Sequence, residues 1–450
     1  MTEGEQLPSM REVQRLLHVS PLTIRKALCE LAAHGLIDTR PGRGTFVRHA
    51  RQPALDPGDG AWQIAVLGAA RIDSSALADL ASPPSPGILP LSSGYLPSDL
   101  QATGLLLAAM SRAARRPAVW DRMPLDGLEA LRNWFARELH PSVTASDVII
   151  CPGSQPAIAT TFRALTQPGD PILMESPTYL GALTAARSAG LRIIPVATDE
   201  FGVRPDALRE ALRETGAKVF YSQPTFSNPS GTVLAPARRP LTYEAVRAAG
   251  AFLIEDDYAR DLGFEGTPPP PLATLDRSGH VIYIRSLTKP SAPGLRIGAL
   301  IARGAARMRL RSCRSGDDLY VAGPLQEAAL QLVTAPSWPR HLRSLQRALL
   351  ERRDVLVEAV RRAFGPVALF TLPRGGFHLW VRLPDRTSTT DARTAAERSG
   401  VLVSAGHQWF PADPPAPFLR LTFAAAPPEV LRRATSLLAK AILSEPALRT

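Results

Sequence analysis

The sequence predicts an α/β protein: a mainly parallel sheet with crossover helices, a smaller α+β part behind it, and a two-helix unit with a β wing in front. Three observations predict it. Apolar runs alternate with helical stretches from Val148 through Ile301, which is how a sheet buried on both faces reads. From about Ala305 the pattern turns to helices, with a long one over about residues 340 to 363. It then turns to Phe377-His378-Leu379-Trp380-Val381-Arg382-Leu383, which alternates as a strand and belongs to a smaller α+β part. Ahead of all this, two short capped helices precede two short strands. A chain of 450 residues, 45% of them apolar, has the length for two or three domains and the material for a large core.

In the front unit, Ser9 followed by Glu12 is a capping-box pattern that opens a short amphipathic helix through Leu17. Ser20 caps a second helix, with Pro21 at its first position, that runs through Arg25, Lys26 and Leu28 to about Ala33. Two short helices with a tight turn between them are the helix-turn-helix layout, whose second helix enters the DNA major groove. Residues 36–47 read as two strands around Pro41-Gly42, a wing whose arginines can rest on phosphate. The candidate DNA contacts are Thr23, Arg25 and Lys26 on the helix and Arg40, Arg43 and Thr45 on the wing. Residues 1–51 hold eight Lys+Arg against five Asp+Glu, and the whole chain is formally +11. That balance favours contact with a polyanion without locating it.

Residues 1–49 are thus expected to form one domain. Of the 43 prolines in the chain, Pro53, Pro57, Pro83, Pro84, Pro86 and Pro90 gather just behind it, with Gly58-Asp59-Gly60 near the start. Residues 50–87 read as a linker with little order of its own, except that the apolar patch Trp62 to Leu67 is suited to docking on a domain. Residues 88–450 follow as the main domain, its large part to about 305 and its small part from about 340.

Within that domain the informative residues sit where strands end. After Val148-Ile149-Ile150 comes Gly153-Ser154-Gln155 and then a helix reading Ala157 to Phe162, so backbone N–H groups at the helix start face any anion placed there; Ser154 equally suits a plain N-cap. Glu175-Ser176-Pro177-Thr178-Tyr179 lies ahead of another helix. After Val219-Phe220-Tyr221 comes Gln223-Pro224-Thr225-Phe226-Ser227-Asn228, whose Asn228 can donate a hydrogen bond. Ala251-Phe252-Leu253-Ile254 runs into Glu255-Asp256-Asp257-Tyr258. Acids at the end of a buried strand need a partner, and a protonated heterocyclic nitrogen is one.

Of 52 basic residues only four are lysines: Lys26, Lys218, Lys289 and Lys440. Arginine serves wherever charge alone is wanted. Lys289 lies in a loop, from Ser286 to Arg296, that follows the strand Val281-Ile282-Tyr283-Ile284 and that two prolines keep from continuing it. A lysine can give up its proton and attack a carbonyl to form a Schiff base, which arginine cannot. Near the end, Phe418-Leu419-Arg420-Leu421-Thr422-Phe423 sets an arginine in an apolar alternation, costly unless it is paired and well suited to two-point recognition of a carboxylate.

In the order and spacing of these motifs, residues 88 to the end resemble a fold-type I pyridoxal-phosphate aminotransferase, and residues 7 to 48 resemble a winged helix of the GntR type. A chain carrying both is similar to the MocR-like class of bacterial regulators. The resemblance implies that Lys289 forms the Schiff base with pyridoxal 5'-phosphate, that Asp256 partners the ring nitrogen, and that Asn228 and Tyr258 donate to the ring hydroxyl. It implies that Ser154, Gln155, Ser286 and Arg296 hold the phosphate, that Tyr179 stacks on the ring, and that Arg420 holds an α-carboxylate. It also implies a homodimer with cofactor sites at the subunit interface. In two places the chain departs from the pattern. Only six residues precede Leu7, where the family's usual first helix is expected, so that either the true start lies upstream, or the module is impaired, or another segment covers the gap; and Arg122 stands near Gly127 at about the place where the family has a tyrosine that reaches the neighbouring subunit's phosphate.

The expected function is a pyridoxal-phosphate-dependent regulator of transcription that binds an operator, its own or a neighbouring promoter, and senses an amino acid or amine as an external aldimine. The alternatives are a working aminotransferase with a degenerate DNA module, or a ligand-binding domain that uses no cofactor. Three scattered cysteines, Cys29, Cys151 and Cys313, suit a reducing cytoplasm. Neither a metal-ligand spacing, a secretory signal nor a membrane-spanning apolar run is legible, and His378 and His407 read as packing or pocket residues.

Overall fold

The computed structural model describes residues 5–17, 19–33, 36–40, 44–47, 61–67, 77 and 87–444. They fall in two compact units, Met1–Ala70 and Arg71–Thr450. The first unit contains α1 (Met10–Leu17), α2 (Pro21–Ala33), β1 (Ile37–Arg40), β2 (Gly44–Val47) and α3 (Ala61–Leu67). Ser9 and Glu12 close a reciprocal box at the start of α1: Ser9 N–H donates to Glu12 Oε2 at 2.8 Å and Glu12 N–H to Ser9 Oγ at 3.4 Å. Ser20 Oγ accepts from Thr23 N–H at 3.2 Å and so caps α2. Strands β1 and β2 pair antiparallel as a wing, and Leu7 N–H and Val47 N–H join residues 5–7 to β2 through Thr45 O and Glu5 O. Ile24 and Ile37 are buried in this unit, whereas Leu16 and Leu22 are exposed. Residues 61–67, expected within a poorly ordered linker, form the helix α3, with Trp62, Val66 and Leu67 exposed.

The second unit opens with β3 (Leu89–Pro90) and is built on an eight-stranded sheet. Its strands are β4 (Val148–Cys151), β5 (Pro171–Ser176), β6 (Arg192–Asp199), β7 (Gly202–Val203), β8 (Val219–Ser222), β9 (Phe252–Asp257), β10 (Val281–Ser286) and β11 (Gly298–Ile301). They lie in the order β4-β11-β10-β9-β8-β5-β6-β7. Neighbours from β10 to β6 pair parallel, while β11 runs antiparallel to both β10 and β4. Strand β4 therefore points the same way as β10, and the loops after β4, β5, β8, β9 and β10 all leave from one edge. That edge is where an open α/β sheet places its ligands. Every residue of β4, β8 and β10 is buried, because helices cover both faces and the apolar runs have no wet side.

The smaller part holds β12 (His378–Arg382), β13 (Val401–Leu402), β14 (Ser404–Ala405) and β15 (Phe418–Thr422). Strand β15 lies between β12 and β14, and β13 pairs with β3. The 27-residue helix Trp338–Phe364 and the helix Pro428–Ser444 pack over this part around Leu349, Leu356, Leu431 and Leu438. Among the described residues no helix is long and apolar enough to cross a membrane.

Candidate functional site

The pleat of β9 sorts three adjacent acids. Side chains alternate across a strand, so Glu255 and Asp257 face one way and Asp256 the other. Glu255 accepts from the N–H groups of Leu272 and Ala273, both at 2.8 Å, and Asp257 from the Tyr283 hydroxyl at 2.8 Å, so each has a structural partner. Asp256 turns toward the loop edge, where its Oδ2 accepts from the Tyr221 hydroxyl and from Gln223 Nε2, both at 2.7 Å. Its Oδ1 is buried and has no partner. Burial pushes this carboxyl up to about 6, against the pull of the Tyr221 and Gln223 hydrogen bonds.

Gln223 ties the site together. Its N–H donates to Glu175 Oε2 at 3.0 Å, its Oε1 accepts from Asn228 N–H at 3.0 Å, and its Nε2 holds Asp256. One residue, through its backbone N–H and its side chain, thus fixes the loop after β8 against the strand ends of β5 and β9. Asn228 turns its Oδ1 to the Arg420 guanidinium, 3.2 Å away, which leaves its amide nitrogen available as a donor. Tyr258 also lines the pocket, but its hydroxyl donates to Phe226 O at 2.9 Å, so it can give a proton to a ring hydroxyl only by leaving that carbonyl.

Lys289 reaches into the same pocket from the loop after β10. Its Nζ donates to Gly94 O at 2.7 Å and lies 3.9 Å from the centre of the Tyr95 ring. Burial, then the positive charges of Arg420 and Arg296, push the amine down to about 7, with Asp256 pulling the other way. The folded chain therefore binds fewer protons than the unfolded chain from about pH 7 up to the ordinary lysine range. Stability gains as pH rises through that window, and the cost of a buried ammonium stands in full below it. Capture of an aldehyde needs the neutral amine, so its rate is expected to rise about tenfold per pH unit below about 7 and to level off above. Stopped-flow absorbance against pH measures this, and a flat profile across neutrality would contradict a titrating amine.

Beside these groups a helix start and a guanidinium converge. Gly153, at φ +97°, precedes the helix Ser154–Leu165, and a Cβ on it would meet Arg296 Nη2 at 2.6 Å, so only glycine admits the guanidinium this close. Ser154 is thus the first helical residue, and Gly153 rather than Ser154 occupies the N-cap. Arg296 Nη2 donates to Pro152 O at 3.0 Å, and no carboxylate pairs with it among the described residues. Ser286 closes β10 and pairs with Gly298; a Cβ at Gly298 would lie 2.8 Å from Arg285 O, which again demands glycine. The Gln155 side chain departs from the expected set. Its Nε2 donates to Gly181 O at 2.8 Å, so this residue offers an anion only its backbone. Tyr179 precedes the helix Leu180–Ser188 and lines the pocket.

Arg420 is buried to 1% exposure. It donates from Nη1 to Asn228 Oδ1 and from Nη2 to Ser92 O, stacks at 4.5 Å over Trp409, and its Nε has no partner. Among the described residues no acid pairs with it. A buried guanidinium answered only by neutral acceptors has an unmet demand for a carboxylate.

Several residues here carry no signal in the sequence pattern: Tyr221 reads as a core aromatic, Gln223 as a loop polar residue, and Ser92, Gly94 and Tyr95 precede the region where motifs occur. Leu77, from the expected linker, also lines the pocket. The space enclosed is about 70 Å³, with the Tyr95 ring resting over the amine. A groove of about 810 Å³ runs elsewhere, between the helices Trp338–Phe364 and Pro428–Ser444. Size does not select the site; unsatisfied buried groups do, and the larger groove has none.

In the first unit, Thr23, Arg25 and Lys26 are exposed on α2, although the Thr23 hydroxyl lies 2.8 Å from Ser20 Oγ. Arg40 ends β1, and the Thr45 hydroxyl faces Thr39 across the wing at 3.3 Å. Arg43 lies outside the described residues.

Residues 87–438 match the family model described as aminotransferase class I and II, and residues 1–47 match that of bacterial regulatory proteins of the gntR family. The chain is 27% identical to an uncharacterised HTH-type transcriptional regulator of Bacillus subtilis, YdfD, over 96% of this chain and 90% of that protein. It is 30% identical to the 2-aminoadipate transaminase of Thermus thermophilus over 75% of this chain and 86% of that enzyme. The crystal structure of the α-aminoadipate aminotransferase LysN of T. thermophilus, complexed with N-(5'-phosphopyridoxyl)-L-leucine, superposes with a TM-score of 0.78 at 28% identity, covering 83% of this chain and 96% of that one. An archaeal alanine:glyoxylate aminotransferase gives a TM-score of 0.79 at 26% identity, covering 85% and 99%.

The cofactor of this fold family is pyridoxal phosphate, and the residues present fit it. Asp256 offers an unpartnered buried carboxylate oxygen for a ring N–H, Lys289 an amine held near neutrality, and Gly153, Ser154 and Arg296 a cradle for a phosphate.

Proposed function

The chain belongs to the class I and II aminotransferase family with a GntR-family unit at its front, and from that membership we propose that it is a pyridoxal-phosphate-dependent transcriptional regulator that senses an amino acid or amine. One observation carries the sensing half: the acid-free, fully buried guanidinium of Arg420, in a pocket shared with Lys289 and Asp256. When bound, the cofactor supplies an electrophilic carbon for an amine and an electron sink behind it. Asp256 keeps the ring nitrogen protonated, with Gln223 and Tyr221 fixing its orientation. Arg420 takes the ligand's carboxylate through its fork. Lys289 yields its place to the ligand's amine and, once free, can hold or move a proton beside it.

The DNA half rests on α2 and the wing, with Thr23, Arg25 and Lys26 of the helix and Arg40, Arg43 and Thr45 of the wing as the candidate contacts. The operator is then the chain's own or a neighbouring promoter. The acting species is a homodimer, since the fold family places its cofactor sites between subunits. The matched length supports regulation: the likeness to the B. subtilis regulator runs through both units. The test is fluorescence anisotropy of the full chain on the DNA upstream of its own gene and on random duplex, at stated salt, with and without cofactor. Specific binding that changes on adding an amino acid is expected. Arg25→Ala with Lys26→Ala should lower the slope of log affinity against log salt by about two. Equal affinity for both duplexes would sink the regulator.

A second reading, a working aminotransferase, has its own support. Binding an amino acid and transaminating it need the same groups, and the transaminase relative matches over most of the second unit. Turnover of an amino acid with an α-keto acid acceptor, in protein that shows no DNA preference, would favour it.

A further inference from the structure

Strand β12 brings His378 into the pocket, and none of the roles above uses it. His378 pairs with Thr422, and Trp380, two residues on, pairs with Arg420. Side chains alternate along a strand and directly paired residues share a face, so His378 and Arg420 point the same way and stand as diagonal neighbours. His378 is 2% exposed, and its ring Nδ1 is enclosed without a hydrogen-bond partner. Burial, followed by the charges of Arg420 and Lys289, holds the imidazole neutral, so it presents one N–H and one lone pair.

A residue that only filled this corner would be better apolar, like the next residue on the same face, Trp380, which is buried against the rings of Phe410 and Phe418, because an unanswered polar atom is costly in such a place. Four other polar groups of the pocket have counterparts in a bound amino acid and cofactor: Arg420 the carboxylate, Lys289 the amine's position, Asp256 the ring nitrogen, Asn228 the ring hydroxyl. The remaining variable part of an amino acid is its side chain. Resting on the sensing reading above, we propose that His378 is a specificity-determining residue that hydrogen-bonds the ligand's side chain, so that this site selects amino acids whose side chain ends in a hydrogen-bonding group over those ending in hydrocarbon. A site built for such a bond rejects the analogue lacking it, because its own polar group is then left unanswered.

The experiment titrates cofactor-loaded, full-length protein with near-isosteric amino acids, following the change in visible absorbance: asparagine and aspartate against leucine, glutamine and glutamate against methionine. At least one polar ligand is expected to bind the wild type about tenfold or more tighter than its hydrocarbon counterpart. His378→Phe should bring that ratio close to one while leaving leucine and methionine unchanged or tighter. His378→Asn, which keeps a polar tip, should retain part of the preference and serves if the phenylalanine variant does not fold. A ratio that survives His378→Phe, or a substitution that weakens every amino acid alike, would overturn the proposal. A wild type that acquires no absorbance from the cofactor before any amino acid is added would instead overturn the sensing reading itself.

Discussion

Lys289→Ala is expected to leave the protein colourless after incubation with pyridoxal phosphate and dialysis, and to abolish its covalent trapping by borohydride. In the wild type, the mass of one reduced cofactor should appear on the peptide carrying Lys289. The other lysines do not compete: Lys26, Lys218 and Lys440 are all exposed, and the pocket that holds Asp256 is lined by Lys289. Only Lys289 combines burial, two neighbouring guanidinium groups that favour its neutral form, and a place in the pocket with the unpartnered Asp256 Oδ1. If the protein transaminates, turnover should fall by at least about 10²–10⁴-fold, the usual contribution of a positioned proton carrier. The fold should survive, because the amine's contacts are one carbonyl and one aromatic face. An alanine variant that colours and retains cofactor like the wild type would remove the chemical basis of every role assigned to this pocket.

Arg420→Leu should uncouple cofactor from ligand. Colour on adding pyridoxal phosphate is expected to persist, since neither Asp256 nor the Gly153 cradle depends on the guanidinium. Binding of amino acids should weaken by about 2–5 kcal/mol, or roughly 30-fold to several thousand-fold, the range for removing one partner of a buried charge pair. Arg420→Lys should not rescue it, because an ammonium lacks the planar fork and the stacking on Trp409. The ligand-free stability should change by only about 1 kcal/mol, because relief of the unpaired buried charge is offset by loss of the hydrogen bonds to Asn228 Oδ1 and Ser92 O. Isothermal titration with an amino acid measures the first effect, and scanning calorimetry of the ligand-free protein the second. Equal amino-acid affinity in the leucine variant would assign the buried arginine a purely structural role.

Much of this arrangement is visible along the chain before any fold is known. The runs at residues 148–150, 219–221 and 281–284 are apolar enough to be buried strands, and the residues just past them carry the polar groups. The retained Lys289 among arginines and the isolated Arg420 in a hydrocarbon alternation are chemical anomalies that need no coordinates. The pattern fails where a contact joins distant segments. Gln223 reads as one loop residue among several, and its three bonds to Glu175, Asn228 and Asp256 exist only because β5, β8 and β9 lie side by side. Ser92 O and Gly94 O, which receive Arg420 and Lys289, lie in a stretch with no motif at all. The helix α3 was hidden because a proline- and glycine-rich surrounding masks a short helical period.

By itself the sequence determined the kinds of element, their order, and the residue types able to do the chemistry, because periodicity and protonation are local properties of a chain. The resemblance pointed to Asp256 and Arg420, but only tertiary structure gave Glu255 and Asp257 their structural partners, left Arg420 without an acid among the described residues, and stood His378 beside it. Those depend on the phase of the pleat relative to neighbouring strands and on what burial removes from water, and neither is written in any one segment.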